Sequence, residues 1–366
     1  MRVMDLTRSS QRLSVEVQAG TAFELLISLM AFGSTDLEAA PDVLPVWFDR
    51  DRTEISRKLQ SVLERLGARD GPQWGELVGF AACGPTEARD TQGLIALLER
   101  TPPMELRLAV LGFHTSPLRE RTPADSFLRA AQGDPRAREE LLAASRDYEM
   151  AYQKDSEAAT RTLLSLGVEA TKDLLLEAVR LWRDEVFGPH EQEVASILAR
   201  DAEAKQALVG RVAPEKLIEI ATNGLEYTPQ PWARRVLLLP HLAMRPWNVL
   251  CAHDEVAIIC YPVADDSLGA DPDAPPARLV RLHKALGDEK RLRMLKVMAK
   301  GAADLQELAD VAGLAKSSAH HHLVILRSAG LIRVTTGEQG RYSLRRDFIP
   351  EAARWLEAFL EGTGAQ

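Results

Sequence analysis

Leu305-Gln-Glu-Leu-Ala-Asp-Val311, a break at Gly313, Lys316-Ser-Ser-Ala-His-His-His-Leu-Val-Ile-Leu-Arg-Ser328 and a stop at Gly330 decide the reading of the C-terminal quarter of this chain. A short helix, a tight turn with glycine and a longer helix form the helix-turn-helix pattern. Leu331–Thr335 and Arg341–Leu344 alternate polar and apolar residues around Thr336-Gly-Glu-Gln-Gly340, which predicts a β-hairpin. A helix-turn-helix followed by a hairpin is a winged helix. Upstream, Arg278–Leu286 and Lys290–Ala299 read as amphipathic helices joined by Gly287-Asp288. Downstream, Glu351–Leu360 carries Trp355, Leu356, Phe359 and Leu360 on one face.

Working outward, the stretch Ala264-Asp-Asp-Ser-Leu-Gly-Ala-Asp-Pro-Asp-Ala-Pro-Pro276 holds a single large apolar residue. It has little to bury and reads as an exposed linker. The expected organisation is residues 1–264 as a sensor or dimerisation domain, 265–276 as the linker and 277–366 as the winged helix. The net charge of the 366 residues, −8, divides unevenly at this point. After Pro276 there are 15 basic and 10 acidic residues, a net +5, against 30 and 43 before it, a net −13. A basic small domain tethered to an acidic large one points to a polyanion as the partner of the basic part.

The first 264 residues are mostly helical by pattern. Leu13–Val17 alternates as a short strand. Helices are expected over Thr21–Phe32, Glu54–Leu66, Gln92–Arg100, Glu105–Phe113, Asp125–Ala131, Pro135–Arg146, Ser156–Ser165, Thr171–Phe187 and Glu191–Arg200. Arg235–Leu239 and Glu255–Val263 are rich in β-formers and are expected to pair as a hairpin. The fold class is mainly α, of the α+β kind: a large helical domain with a small β element, plus the winged helix.

Between Ala315 and Arg346 the basic residues are Lys316, Arg327, Arg333, Arg341, Arg345 and Arg346, with Glu338 the only acid. Ala319, Leu323 and Leu326 share the inner face of the second helix, which leaves Lys316, Ser317, Ser318, His320 and His321 toward a DNA groove. Hydroxyls and cations suit phosphate contacts, and Lys or His can reach base-edge acceptors. Arg327 and Arg333 extend this basic set, and Arg341, on the hairpin, is placed to enter a minor groove. The three adjacent histidines do not make a metal site, because consecutive helical residues point about 100° apart. His322 is expected to pack inward.

Four segments in order, Ala285-Leu-Gly-Asp-Glu-Lys-Arg-Leu-Arg-Met-Leu295, Leu305-Gln-Glu-Leu-Ala309, Ser317-Ser-Ala-His-His-His-Leu-Val-Ile-Leu326 and Ala329-Gly-Leu-Ile332, resemble the ArsR family of transcriptional repressors. The resemblance covers nearly all of residues 277–366. It implies a homodimer joined by the first and last helices of this domain, bound to a dyad-symmetric operator of double-stranded DNA. Some relatives sense metals through a Cys pair on the first of the two helices, others through Asp and His on the final helix. Asp304–Val311 has no Cys or His, and Glu351–Leu360 has neither Asp nor His, so neither kind of metal site is expected in this domain.

The large domain carries fainter signals. Pro240–Tyr261 gathers His241, Arg245, Trp247, His253 and Tyr261, an aromatic and polar set of the kind that binds a small-molecule effector. Cys251-x-His253 with Cys260 is the metal-responsive alternative, lacking a fourth ligand; buried thiols on strands are the plainer reading. No glycine-rich phosphate loop, Gly-x-Ser-x-Gly or paired-Cys motif is present, so neither an enzyme nor a cofactor is expected, although an enzyme fused to a regulatory helix-turn-helix is the rival class. The residues after Met1 contain no apolar leader, and Phe23–Phe32 and Val256–Ala264 fall short of the roughly 20 apolar residues a bilayer requires. Three cysteines cannot all pair, which fits a reducing cytoplasm.

Overall fold

A computed structural model describes residues 13–33, 47–48, 53–67, 73–152, 156–268, 275–335 and 340–361. The expectation of no leader, the middle of the linker and the hairpin tip at 336–339 lie outside the described residues. Among the described residues, the α-helices before the linker are α1 (Thr21–Gly33), α2 (Arg57–Arg65), α3 (Gln73–Ala82), α4 (Thr91–Arg100), α5 (Pro103–Val110), α6 (Ser116–Arg119), α7 (Ala124–Gln132), α8 (Pro135–Tyr152), α9 (Ser156–Ser165), α10 (Val168–Trp182), α11 (Glu191–Gln206) and α12 (Pro214–Ala221). Five follow it: α13 (Ala277–Leu286), α14 (Glu289–Met298), α15 (Leu305–Ala312), α16 (Lys316–Ser328) and α17 (Phe348–Leu360). The strands are β1 (Ser14–Val17), β2 (Leu225–Glu226), β3 (Arg235–His241), β4 (Val249–His253), β5 (Val256–Pro262), β6 (Ile332–Thr335) and β7 (Tyr342–Leu344). The molecule is mainly α with two small sheets.

The four-stranded sheet has the order β1-β3-β5-β4. The expected hairpin between the third and fifth strands is not formed. They run parallel, Leu237 beside Ile258, and the hairpin partner of β5 is β4. The reason is visible in burial. Val236-Leu-Leu-Leu239 and Val256-Ala-Ile-Ile-Cys-Tyr261 are unbroken apolar runs, as parallel strands covered on both faces require. Alternation sends Leu237, Leu239, Ile258 and Cys260 into a large core with Phe23, Trp74 and Trp182, and sends Val236, Leu238, Ile259 and Tyr261 into a smaller one beneath α12. Each fully buried Leu or Ile there contributes about 1.5–3 kcal/mol.

Three helices were not legible as such: α3, the one-turn α6 and α12. Gly75 and Gly79 break the pattern of α3, since glycine weakens a helix by about 1 kcal/mol. Their role is close approach to β4: a Cβ on Gly75 would stand 3.4 Å from Cys251 Sγ, and one on Gly79 3.3 Å from His253 Cβ.

The linker reading is corrected at its start. Asp265–Ser267 form a helical turn packed on the large region. Asp201, fully buried, accepts from the Ala264 N–H, Ser267 Oγ and Lys205 Nζ, while Asp265 takes both Arg245 and Arg281. An acidic stretch is therefore docked because buried cations and a buried carboxylate receive it.

The C-terminal elements enclose their own core of Leu282, Leu308, Leu323, Leu326, Ile332 and Phe348. Asp288 and Asp304 cap α14 and α15 by accepting from the Arg291 and Glu307 N–H groups. This unit adjoins the large region along a seam. β2 pairs in parallel with β6, Leu225 beside Val334, so the hairpin strands β6 and β7 gain a third strand from the large region. Gly224, at φ +107°, has no room for a side chain: a Cβ would lie 2.6 Å from the Ile332 carbonyl oxygen.

Candidate nucleic-acid interface

α15 ends at Gly313 in the left-handed conformation, φ +63°, and α16 begins at Lys316 after two intervening residues. Ala319, Leu323 and Leu326 turn inward and are buried, which orients the opposite face outward. Lys316, Ser317, Ser318 and His320 are exposed, and His321 is half-buried. The residue before α16 is Ala315, which has no side-chain acceptor to cap the first N–H groups of the helix. Those donors, the positive end of the helix dipole and Lys316 lie together, an arrangement suited to phosphate. His322 leans inward, its Nδ1 3.7 Å from Asp288 Oδ1.

Of the three arginines in the expected DNA-contacting set, Arg341 is exposed and donates to the Ala302 carbonyl. Arg327 and Arg333 are turned to contacts within the chain. Arg327 donates to the Pro246 carbonyl and lies 5.8 Å from the centre of the Trp247 ring; burial pushes its guanidinium down to about 10. Arg333 is bound by Glu219 at 2.7 Å and by Asp347 at 2.9 Å. Glu219 lies on α12, so the seam with the large region redirects side chains that charge alone assigned to a duplex. Burial acts to raise the Glu219 carboxyl, but hydrogen bonds from Lys216 and Arg333 outweigh it and hold it below the usual range.

The five effector candidates are not brought together. His241 is buried and donates from Nε2 to the Trp247 carbonyl at 2.9 Å; burial is the chief cause of its fall to about 3, so it is neutral. Tyr261 is buried in the smaller core. His253 lies at the far end of β4, stacked on His114, and burial first and His114 second hold it down at about 4. Trp247 faces α16, its ring stacked on His320. Arg245 lines a cavity of about 200 Å³ in the seam between the two regions, and the other four do not line it. Arg278, Arg281, Arg327 and Trp355 line it too, with Asp265 and Asp266 as its acids. Asn223, whose amide donates to the carbonyls of Arg327 and Ser328, was missed; the Asn223-Gly224 dipeptide is a turn signal that marks the spot.

Cys251, His253 and Cys260 do not form a common ligand set. Among the described residues, the group whose ligand atoms converge within 4.8 Å is His114, His253 and Asp254. Cys251 and Cys260 instead lie on the paired strands β4 and β5, and a hydrogen bond between their thiols, with burial, holds the Cys260 thiol up.

A short helix, a left-handed glycine turn, a helix with an exposed and basic start, and an antiparallel hairpin define a helix-turn-helix domain of the DNA-binding class. The family model described as bacterial regulatory protein, arsR family, matches residues 288–334, from the cap of α14 into β6. This segment is an ArsR-family helix-turn-helix domain, and the chain thus carries the DNA-binding domain of a transcriptional regulator. No curated protein and no solved structure matches the chain. Among the described residues, no helix is long and apolar enough to cross a membrane.

Proposed function

We propose that the chain is a dimeric, cytoplasmic repressor of the ArsR type that binds a dyad-symmetric operator through α16 and the β6–β7 hairpin. The observation that carries this is the exposed start of α16, where Lys316, Ser317 and Ser318 accompany uncapped backbone donors. The first residues of a recognition helix are those that meet base edges. Dimer formation is supported by apolar exposure: Val280 on α13 and Ile349, Phe359 and Leu360 on α17 are large hydrophobic side chains open to solvent. These are the first and last helices of the domain. The reading assigns no catalytic role to the chain. Its large region serves as the sensor, and the seam cavity, with four arginines and two aspartates, fits a small organic anion as effector.

The test is a gel shift and an anisotropy titration against duplexes selected from a random pool. Wild type binds with half-sites about 10 base pairs, or a multiple, apart. Affinity falls steeply with salt, by roughly one log unit per log unit of salt for each phosphate contact. Replacing Lys316 and Arg341 together by Ala abolishes operator binding in the gel shift. Unchanged affinity in that double variant overturns the assignment.

A further inference from the structure

The tip of the β4–β5 hairpin and the segment between α5 and α6 meet although 139 positions separate His114 from His253. The Asp254 N–H donates to the His114 carbonyl at 2.6 Å, and Ser116 Oγ donates to the Asp254 carbonyl, so two backbones are tied at this point. Asp254 occupies the left-handed region, φ +50°, which Asp tolerates better than most residues. The two imidazoles stack face to face, ring centres 4.3 Å apart and planes 21° from parallel. Phe80 meets His253 edge-on at 6.2 Å, and Phe113 meets His114 edge-on at 5.2 Å, which holds both rings in place. The carboxylate straddles them: Oδ1 lies 3.1 Å from His114 Nδ1, and Oδ2 lies 4.0 Å from His253 Nε2.

We propose that His114, His253 and Asp254 form a binding site for one divalent transition-metal ion such as Zn²⁺, Co²⁺ or Ni²⁺. An ion with bonds of about 2.0–2.2 Å to imidazole nitrogen and carboxylate oxygen holds its ligand atoms roughly 3–3.5 Å apart. The ligand atoms lie within 4.8 Å of one another, so an ion draws them closer by up to about 1.5 Å as the two rings turn out of their stack toward it. Two imidazoles with one carboxylate select zinc and its neighbours over calcium or magnesium, which take oxygen ligands. The imidazoles are largely buried, while the Asp254 side chain is 62% exposed, so the remaining positions of the ion open to water. Binding displaces the proton shared between His114 Nδ1 and Asp254 and releases it to solvent. The two thiols take no part: Cys260 is fully buried, and Cys251 is packed under Gly75. β4 thereby has the ion at its C-terminal end and, just before its N-terminal end, Trp247 against α16.

The full chain, stripped with a chelator, is titrated with ZnCl₂ by calorimetry and with CoCl₂ by visible absorption. One equivalent binds, and the cobalt spectrum lacks a thiolate charge-transfer band. His114→Ala and His253→Ala each weaken binding at least tenfold. Asp254→Asn, at an exposed side chain that leaves folding intact, weakens it as well. The double variant Cys251→Ser, Cys260→Ser binds as wild type does. Melting curves of the metal-free variants confirm that they are folded. No saturable binding by wild type overturns the site, as does binding that survives both histidine variants or is lost in the double cysteine variant.

Discussion

The imidazole of His320, on the outward face of α16, stacks on the indole of Trp247, ring centres 6.0 Å apart and planes 19° from parallel. One residue belongs to the recognition helix and the other to the turn that leads into β4. Arg327, two turns further along α16, donates to the carbonyl of the adjacent Pro246. The large region therefore covers the middle and end of the second helix of the helix-turn-helix and leaves its start open.

A duplex that reaches His320 must displace Trp247. Aromatic pairs of this kind are worth about 0.5–1.5 kcal/mol. Trp247→Ala keeps the carbonyl that His241 uses and removes the ring, so DNA affinity rises about fivefold, equivalent to about 1 kcal/mol. Anisotropy titrations of both proteins against one duplex decide it. Equal or weaker binding by the variant means that Trp247 supports α16 rather than competing with DNA.

Glu219 is the pivot of the seam on the other side, accepting from Arg333 at 2.7 Å and Lys216 at 3.0 Å, with Arg345 3.6 Å away. Hydrogen bonds to charged groups contribute about 1.5–3 kcal/mol, so Glu219→Ala destabilises the chain by about 2 kcal/mol. Its carboxyl is held below its unfolded value of 4.5, so its contribution is present above about pH 4.5 and is lost as pH falls through the lower folded value. In urea titrations the difference between wild type and Glu219→Ala shrinks on acidification. A difference that stays constant from pH 7 to pH 3.5 rules out the ionised pair as its source.

The helix-turn-helix was legible because its signals are local: Gly313 and Gly330 as stops, and Ala319, Leu323 and Leu326 as one face. What escaped was set by partners distant in the chain. Ser14 pairs with Arg235, and nothing near either residue announces it; only the unbroken apolar runs hint at parallel strands covered on both faces. Arg327 and Arg333 look like DNA contacts until Pro246 and Glu219 are beside them. His253 suggested a metal through its neighbours Cys251 and Cys260, whereas the structure supplies His114 from 139 positions away. Spacing pointed to partners that the structure does not bring together, since a strand fixes which residues alternate but not what lies across from them.

Glu76 on α3 is the clearest case of a carboxyl placed against its ordinary behaviour. Thr115 Oγ1 donates to it, at 2.6 and 2.7 Å from its two oxygens, and burial raises it to about 8 despite this. At neutral pH the folded chain therefore keeps this group largely protonated, while the unfolded chain ionises it near 4.5. A group raised in the folded state contributes its full stability below the unfolded value and loses it as pH rises through the folded one. The window here runs from about pH 4.5 to about pH 8. Each unit of separation corresponds to about 1.4 kcal/mol, so the penalty accumulated by pH 8 is on the order of a few kcal/mol. Glu76→Gln keeps the shape, accepts from Thr115 through its carbonyl and cannot ionise. The variant matches wild type near pH 5 and exceeds it by on the order of a few kcal/mol at pH 8 in urea titrations. A stability difference independent of pH across that window shows that Glu76 stays solvated enough to ionise freely, and that its packing against Thr115 is no more than a surface contact.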